Sequence, residues 1–212
     1  MSKTGLLDFI FPSRCAVCEA PGPNLCEDCQ EVLRPSLHSF YRGPILGYAA
    51  TYLSSQVSKV LIAFKDRGQV ALVRQLAELI QPLVFEIQKF PEGVYLVPAP
   101  SRSENFSRRG FIPSLLLAQA LAAQASSARV LNCLVLSSNV LDQVGLSGFQ
   151  RQENLAGSMT LNQNVDGKSC FIIDDICTTG ATVTEAFRAL SMGGATVLGA
   201  LVVSEAKPVV SQ

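Results

Sequence analysis

The segment CFIIDDICTTGATV, residues 170–183, constrains the fold more than any other stretch of this 212-residue chain. Four apolar residues run straight into Asp174-Asp175, and a Thr-Thr-Gly-x-Thr turn then opens a helical pattern that stops at Gly193-Gly194. A strand that is apolar on both faces belongs in a parallel sheet covered by helices. Open sheets of that kind place ligands at the carboxyl ends of their strands. The backbone amides of 178–182, including Ala181, and the hydroxyls of Thr178, Thr179 and Thr182 would surround an anion at the helix start. Gly180 permits close backbone approach. The two carboxylates repel that anion, so they are read as acceptors for hydroxyls beside it. Phosphate next to vicinal hydroxyls describes a ribose 5-phosphate. The competing reading is an ordinary helix cap, where Ser, Thr and Asp are common.

The remaining chain predicts an α/β domain, a parallel sheet of about five strands flanked by helices. Strands are expected over 45–53, 94–100, 130–136, 169–175 and 195–203. Val57, Val60, Leu61 and Phe64 fall at i, i+3, i+4 and i+7, one face of a helix that KDRG at 65–68 breaks. Further helices are expected over 70–90, divided at Pro82, over 114–125 and over 178–194. Residues 101–110 read as an arginine-bearing loop and 137–158 as a long polar stretch.

Four of the seven cysteines lie within fifteen residues, as Cys15-x2-Cys18-x7-Cys26-x2-Cys29. Paired CxxC turns bring four thiolates to one tetrahedral zinc, which leaves no open position and makes the site structural. Four unrelated thiols, two redox pairs or an iron–sulfur cluster are the other readings. An odd cysteine total argues against a disulfide framework, and Cys133 and Cys170 fall in apolar strands. Around the cluster, Arg14, Arg34 and Arg42 face Glu19, Glu27, Asp28 and Glu31, too little positive charge for a nucleic-acid finger. A packing or partner-contact role is expected instead. Residues 1–14 read as a lead-in and 30–44, with Pro35 and Gly43-Pro44, as linker; the sole histidine, His38, reads as a surface residue of that linker. The division is thus 1–44 for the zinc module and 45–212 for the sheet domain.

Seventeen basic and seventeen acidic residues cancel, 16% of residues are charged and 48% are hydrophobic. That balance excludes a disordered chain and a polybasic coat. No apolar run approaches the roughly 20 residues that span a bilayer, and no secretory signal is visible, so a cytoplasmic location without membrane attachment is expected.

The segment at 170–183 resembles the phosphoribosyl pyrophosphate (PRPP) signature of type I phosphoribosyltransferases, and with the double CxxC ahead of it the chain resembles the ComF family. The resemblance implies Asp174 and Asp175 on the ribose hydroxyls, residues 178–182 on the 5-phosphate, and magnesium carried on PRPP. VPAPSRSENFSRRGF at 97–111 resembles the family's Val-Pro-x-Pro segment followed by a basic loop and Arg-Gly-Phe. It implies Ala99, Pro100, Ser101, Arg102 and Ser103 against pyrophosphate, with charge added by Arg108 and Arg109. Lys65, in a Lys-x-x-Gly pattern, is implied as a second pyrophosphate contact. QVGLSGFQRQENLAGSM at 143–159 resembles the flap that related enzymes close over PRPP, with Arg151 and Asn154 the residues of interest. The chain departs from the family at Ile112-Pro113, where two polar residues are usual, and at Cys177.

Two functions follow from the resemblance. One is a magnesium-dependent phosphoribosyltransferase, with an oxocarbenium-like ribose and pyrophosphate leaving, acting on a base or amine that has no readable signature. The other is a PRPP- or nucleotide-binding adaptor, linked to DNA uptake in competent bacteria or to use of imported DNA, whose zinc module docks a protein partner. Direct nucleic-acid binding has only the small positive patch at 98–111 behind it. Homodimers are common among type I relatives.

Overall fold

A computed structural model describes residues 14–101, 106–107, 109–137 and 155–207. Among these, the main sheet has six strands in the order β1-β2-β8-β7-β3-β4. They are β1 (His38–Arg42), β2 (Ile45–Tyr52), β3 (Val94–Pro98), β4 (Ala128–Val130), β7 (Ser169–Cys177) and β8 (Thr196–Glu205). From β2 to β4 every pairing is parallel, which gives the five parallel strands expected; β1 adds an antiparallel edge. A second, two-stranded sheet joins β5 (Leu134–Leu136) to β6 (Met159–Leu161).

Alternation along the central strands sorts the core into two layers. Phe171, Ile173, Leu201 and Val203 face α2 (Ser55–Lys65), α3 (Val73–Ile80), α4 (Val84–Gln88) and α5 (Pro113–Ala122). Cys170, Ile172, Ala200 and Val202 face the opposite way, against Val183, Ala186, Ala189 and Leu190 of α6 (Ala181–Met192). Ser54 caps α2, its hydroxyl accepting from the Val57 amide at 3.1 Å, and the predicted face Val57, Val60, Leu61 and Phe64 is buried. Pro82 divides the helix expected over 70–90: a 3-10 turn, Gln81–Leu83, separates α3 from α4. Pro113 starts α5, where its missing N–H costs nothing.

Three sequence readings need correction. The stretch 30–44 is not all linker, because His38–Arg42 forms β1 and pairs through a hairpin at 43–44 with Ile45–Ala49. Phe40 covers Gly47 there, so closely that a Cβ at Gly47 would lie 2.3 Å from the ring. His38 is accordingly no linker surface residue: it stacks on Tyr52 with ring centroids 3.7 Å apart. The strand expected over 130–136 is two strands in different sheets, β4 and β5. The helix expected from 178 starts at Ala181, since β7 runs on to Cys177.

The short module Cys15–Cys29 lies against the first core layer. Cys15, Ala16 and Leu25 are buried in the same cluster as Val60 and Phe64 of α2. Lys59 donates to the Val17 carbonyl at 3.2 Å and Gln69 to the Arg14 carbonyl at 3.2 Å. No helix among the described residues is long and apolar enough to cross a membrane.

Candidate functional site

Chain order reverses direction between β3 and β7: β3 leads outward to β4, whereas β7 leads the other way to β8. The crevice at such a switch point is where open α/β sheets bind ligands. Two predicted segments meet there. Ala99, just past β3, donates its amide to the Ile173 carbonyl of β7 at 2.8 Å. Its own carbonyl accepts from the Ser114 hydroxyl at the start of α5 at 2.6 Å. Ala99 is buried, and Pro100 and Ser101 are half-buried.

Asp174 and Asp175 occupy the end of β7 as expected. The Asp174 carboxylate accepts from the Asp175 amide at 2.8 Å, and that of Asp175 from the Ile176 amide at 2.8 Å. Lys65, the last residue of α2, reaches across so that its Nζ lies 3.2 Å from Asp175 Oδ2. The Asp175 charge, set against burial, holds the Lys65 ammonium above its ordinary range. Burial, and then the neighbouring Asp175 charge, pushes the Asp174 carboxyl up to about 8. The two acids are therefore unlike: one is paired with a cation, and the other is ready to hold a proton near neutrality.

The turn 178–180 joins these acids to α6, and a cleft runs along it from Asp174 past Ile176 to Val183. Thr178 and Thr179 are exposed, Thr182 is half-buried, and Gly180 and Ala181 are buried. Gly180 occupies the N-cap position with φ 83° and brings no side chain to cap the helix, while the Thr179 hydroxyl accepts from the Ala181 amide at 3.4 Å. The first turn of α6 thus offers backbone N–H groups without a side-chain acceptor from the cap, the arrangement that receives anions. Cys177 beside the turn is buried, and its thiol is pushed up to about 11 mainly by that burial, as suits a filler rather than a nucleophile.

Arg109 pairs with Asp66, the residue after Lys65. The KDRG segment thereby ties the arginine loop to the acidic pair through alternating charges, Arg109 to Asp66 and Lys65 to Asp175. Arg102, Ser103, Arg108, Arg151 and Asn154, also singled out above, lie outside the described residues.

The sequence reading missed Arg42. Its Nε donates to the Thr178 carbonyl at 3.1 Å, and its Nη2 to Glu205 Oε1 at 2.7 Å and the Ala206 carbonyl at 3.2 Å. A readable signal existed: His38, Phe40 and Arg42 alternate with Ser39 and Tyr41 just before Gly43-Pro44, a short strand entering a tight turn.

Cys15, Cys18, Cys26 and Cys29 place their sulfurs within 4.8 Å of one another, with Cys18 and Cys26 3.7 Å apart. Tetrahedral zinc with bonds of about 2.3 Å separates its sulfurs by about 3.8 Å, so these ligands fit that ion. Burial raises the Cys15 thiol, but the amides of Cys18, Cys26 and Val17 together outweigh it and bring it down to about 6. Donation of its own proton to the Cys26 sulfur is the main influence that pushes the Cys29 thiol up to about 12. One ready thiolate among the four suits capture of a cation.

Comparisons with known proteins agree with this architecture. The phosphoribosyl transferase domain model matches residues 113–208. DNA utilization protein YhgH of Salmonella typhi is 34% identical over 137 residues, which cover 63% of this chain and 60% of that protein. The protein of that name from Escherichia coli K12 is 32% identical over 107 residues, 50% of this chain and 46% of its own. The match to these curated relatives thus spans about half to three fifths of their length. Among solved structures, an adenine phosphoribosyltransferase from Saccharomyces cerevisiae is 19% identical, with 83% of this chain and 87% of that one covered at a TM-score of 0.39. With a match to the phosphoribosyl transferase domain, four clustered cysteines ahead of it and homologues named DNA utilization protein YhgH, the chain resembles the ComF family.

Proposed function

We propose that this protein binds PRPP or another ribose 5-phosphate-bearing ligand, such as a nucleotide, and serves as an adaptor in DNA utilization. The 5-phosphate is received by the Thr178–Thr182 amides and hydroxyls, and the ribose hydroxyls by Asp174 and Asp175. One observation carries the reading: the start of α6, its three threonines and Asp174 line one cleft at the sheet's switch point, with Asp175 the next residue of the strand. The role in DNA use comes from the relatives' name. Magnesium would arrive on PRPP and neutralise pyrophosphate charge. The four cysteines hold a structural zinc, and their module, already packed on α2, presents its outer face to a protein partner.

The adaptor reading is preferred to transfer of phosphoribose on the state of the cations. Departure of pyrophosphate needs positive charge near the leaving group. Lys65 is engaged by Asp175 and Arg109 by Asp66, so each must give up an internal partner to serve. The transferase reading remains the second one because the acids and turn that a phosphoribosyl group requires are in place. Incubation with PRPP and magnesium across a panel of nucleobases and amines, with pyrophosphate release as readout, separates them. Binding without release on any acceptor supports the adaptor. Release that depends on one acceptor establishes the transferase.

A further inference from the structure

Arg42 lies well outside the residues matched by the domain model, yet it hydrogen-bonds the 178–180 turn and packs its stem against it. Beyond the bonds to Thr178, Glu205 and Ala206, its Nη1 donates to the Tyr41 carbonyl at 2.9 Å. The guanidinium is 13% exposed and Glu205 4% exposed, so the pair is held almost without water. Its stem lies flat against Gly180: a Cβ there would fall 2.6 to 2.9 Å from the Arg42 Cγ, Cβ and Cδ. Gly180 is therefore required on two counts, the positive φ and the passage of the arginine across it. His38 Nε2 approaches the other carboxylate oxygen of Glu205 at 3.5 Å, so Glu205 is enclosed by β1 on both of its oxygens.

We propose that Arg42, fixed by Glu205, is a positioning residue that holds the 178–180 turn in its anion-receiving shape; the inference rests on the phosphate reading of that turn. A trans peptide directs its N–H opposite to its C=O. Anchoring the Thr178 carbonyl on Arg42 therefore turns the Thr179 N–H away from the arginine, onto the open side where the two threonine hydroxyls are exposed. Glu205 cancels the guanidinium charge, so the effect is one of geometry. A planar fork is needed to bond Thr178, Glu205 and Ala206 together, and lysine has none.

The test uses the full chain and three forms: wild type, Arg42→Met/Glu205→Gln, which keeps the charge balance, and Arg42→Lys. Amide hydrogen exchange over 178–182 is read without ligand, and affinity for ribose 5-phosphate by calorimetry. A hydrogen bond to a charged donor is worth about tenfold or more. Both variants should exchange about tenfold faster in that turn and bind about tenfold more weakly. Unchanged exchange with affinity within about twofold of wild type overturns the proposal, and so does full affinity in Arg42→Lys. Should the double variant fail to fold, Arg42→Lys decides alone. If wild type does not bind ribose 5-phosphate, the phosphate reading falls, while the exchange rates still decide whether Arg42 positions the turn.

Discussion

The four-cysteine module and the turn proposed to receive phosphate are both short polar segments, and they are built in opposite ways. The module has little of its own to fold around. Its helix, α1 (Glu27–Gln30), is four residues long, uncapped by any side chain and without a buried residue. What it buries, Cys15, Ala16 and Leu25, it buries against α2 and its neighbours. Four sulfurs within 4.8 Å of one another gain a common partner only when an ion arrives. The turn, by contrast, is suspended between the nine residues of β7 and the twelve of α6, and is braced by Arg42. One segment is completed by its ligand, whereas the other is complete before its ligand comes. Ligand removal should therefore cost far more stability at the first than at the second.

The largest expected effect is at the cysteines. Structural zinc contributes about 10 kcal/mol or more in small zinc modules. Chelation, or Cys26→Ser with Cys29→Ser, should lower the melting temperature by about 10 °C or more and open residues 14–35 to proteolysis. A metal-free sample that melts like the purified protein would break the comparison from that side. Next comes Asp175→Asn, which leaves the Lys65 ammonium without its carboxylate. Affinity for ribose 5-phosphate should fall by about tenfold to a hundredfold, with a melting shift far smaller than that of metal removal. Thr178→Ala should weaken the same affinity by about tenfold or less and leave the melting temperature unchanged, because the side chain is exposed.

The smallest effect is a pH dependence. Asp174 takes up its proton more readily in the folded chain, about 8 against an ordinary 3.8. Its contribution to stability is then complete below about pH 4 and is lost as pH rises through about 8. Wild type without ligand should melt a few degrees lower at pH 8.5 than at pH 5, and Asp174→Asn should flatten that slope. A wild-type melting temperature that rises over this interval while the Asn variant is flat would contradict the assignment.

Where the chemistry is local, the sequence was a good guide. Residues 170–183 form a strand, an acidic pair, a turn and a helix because each step is dictated by neighbours: apolar alternation, then carboxylates, then a glycine at positive φ. Lys65, which the resemblance implied as a pyrophosphate contact, lies against Asp175 because helix α2 ends there. What escaped was long-range. Nothing beside Arg42 in the chain announces Thr178 or Glu205, which lie 136 and 163 residues away. Glu205 lies beyond the strand expected over 195–203, yet it ends β8 and is 3% exposed, with Arg42 against it. Arg109 is instructive in the same way: nothing in its loop announces Asp66, 43 residues earlier, with which it pairs.

The most direct test of the phosphate site is calorimetric titration of the metal-replete protein with PRPP and magnesium, beside the Asp174→Asn/Asp175→Asn form. The account predicts one binding event per chain in wild type, displaced by ribose 5-phosphate, and none in the double variant at the same melting temperature or higher. Absence of binding in wild type, or equal binding in the variant, would contradict it.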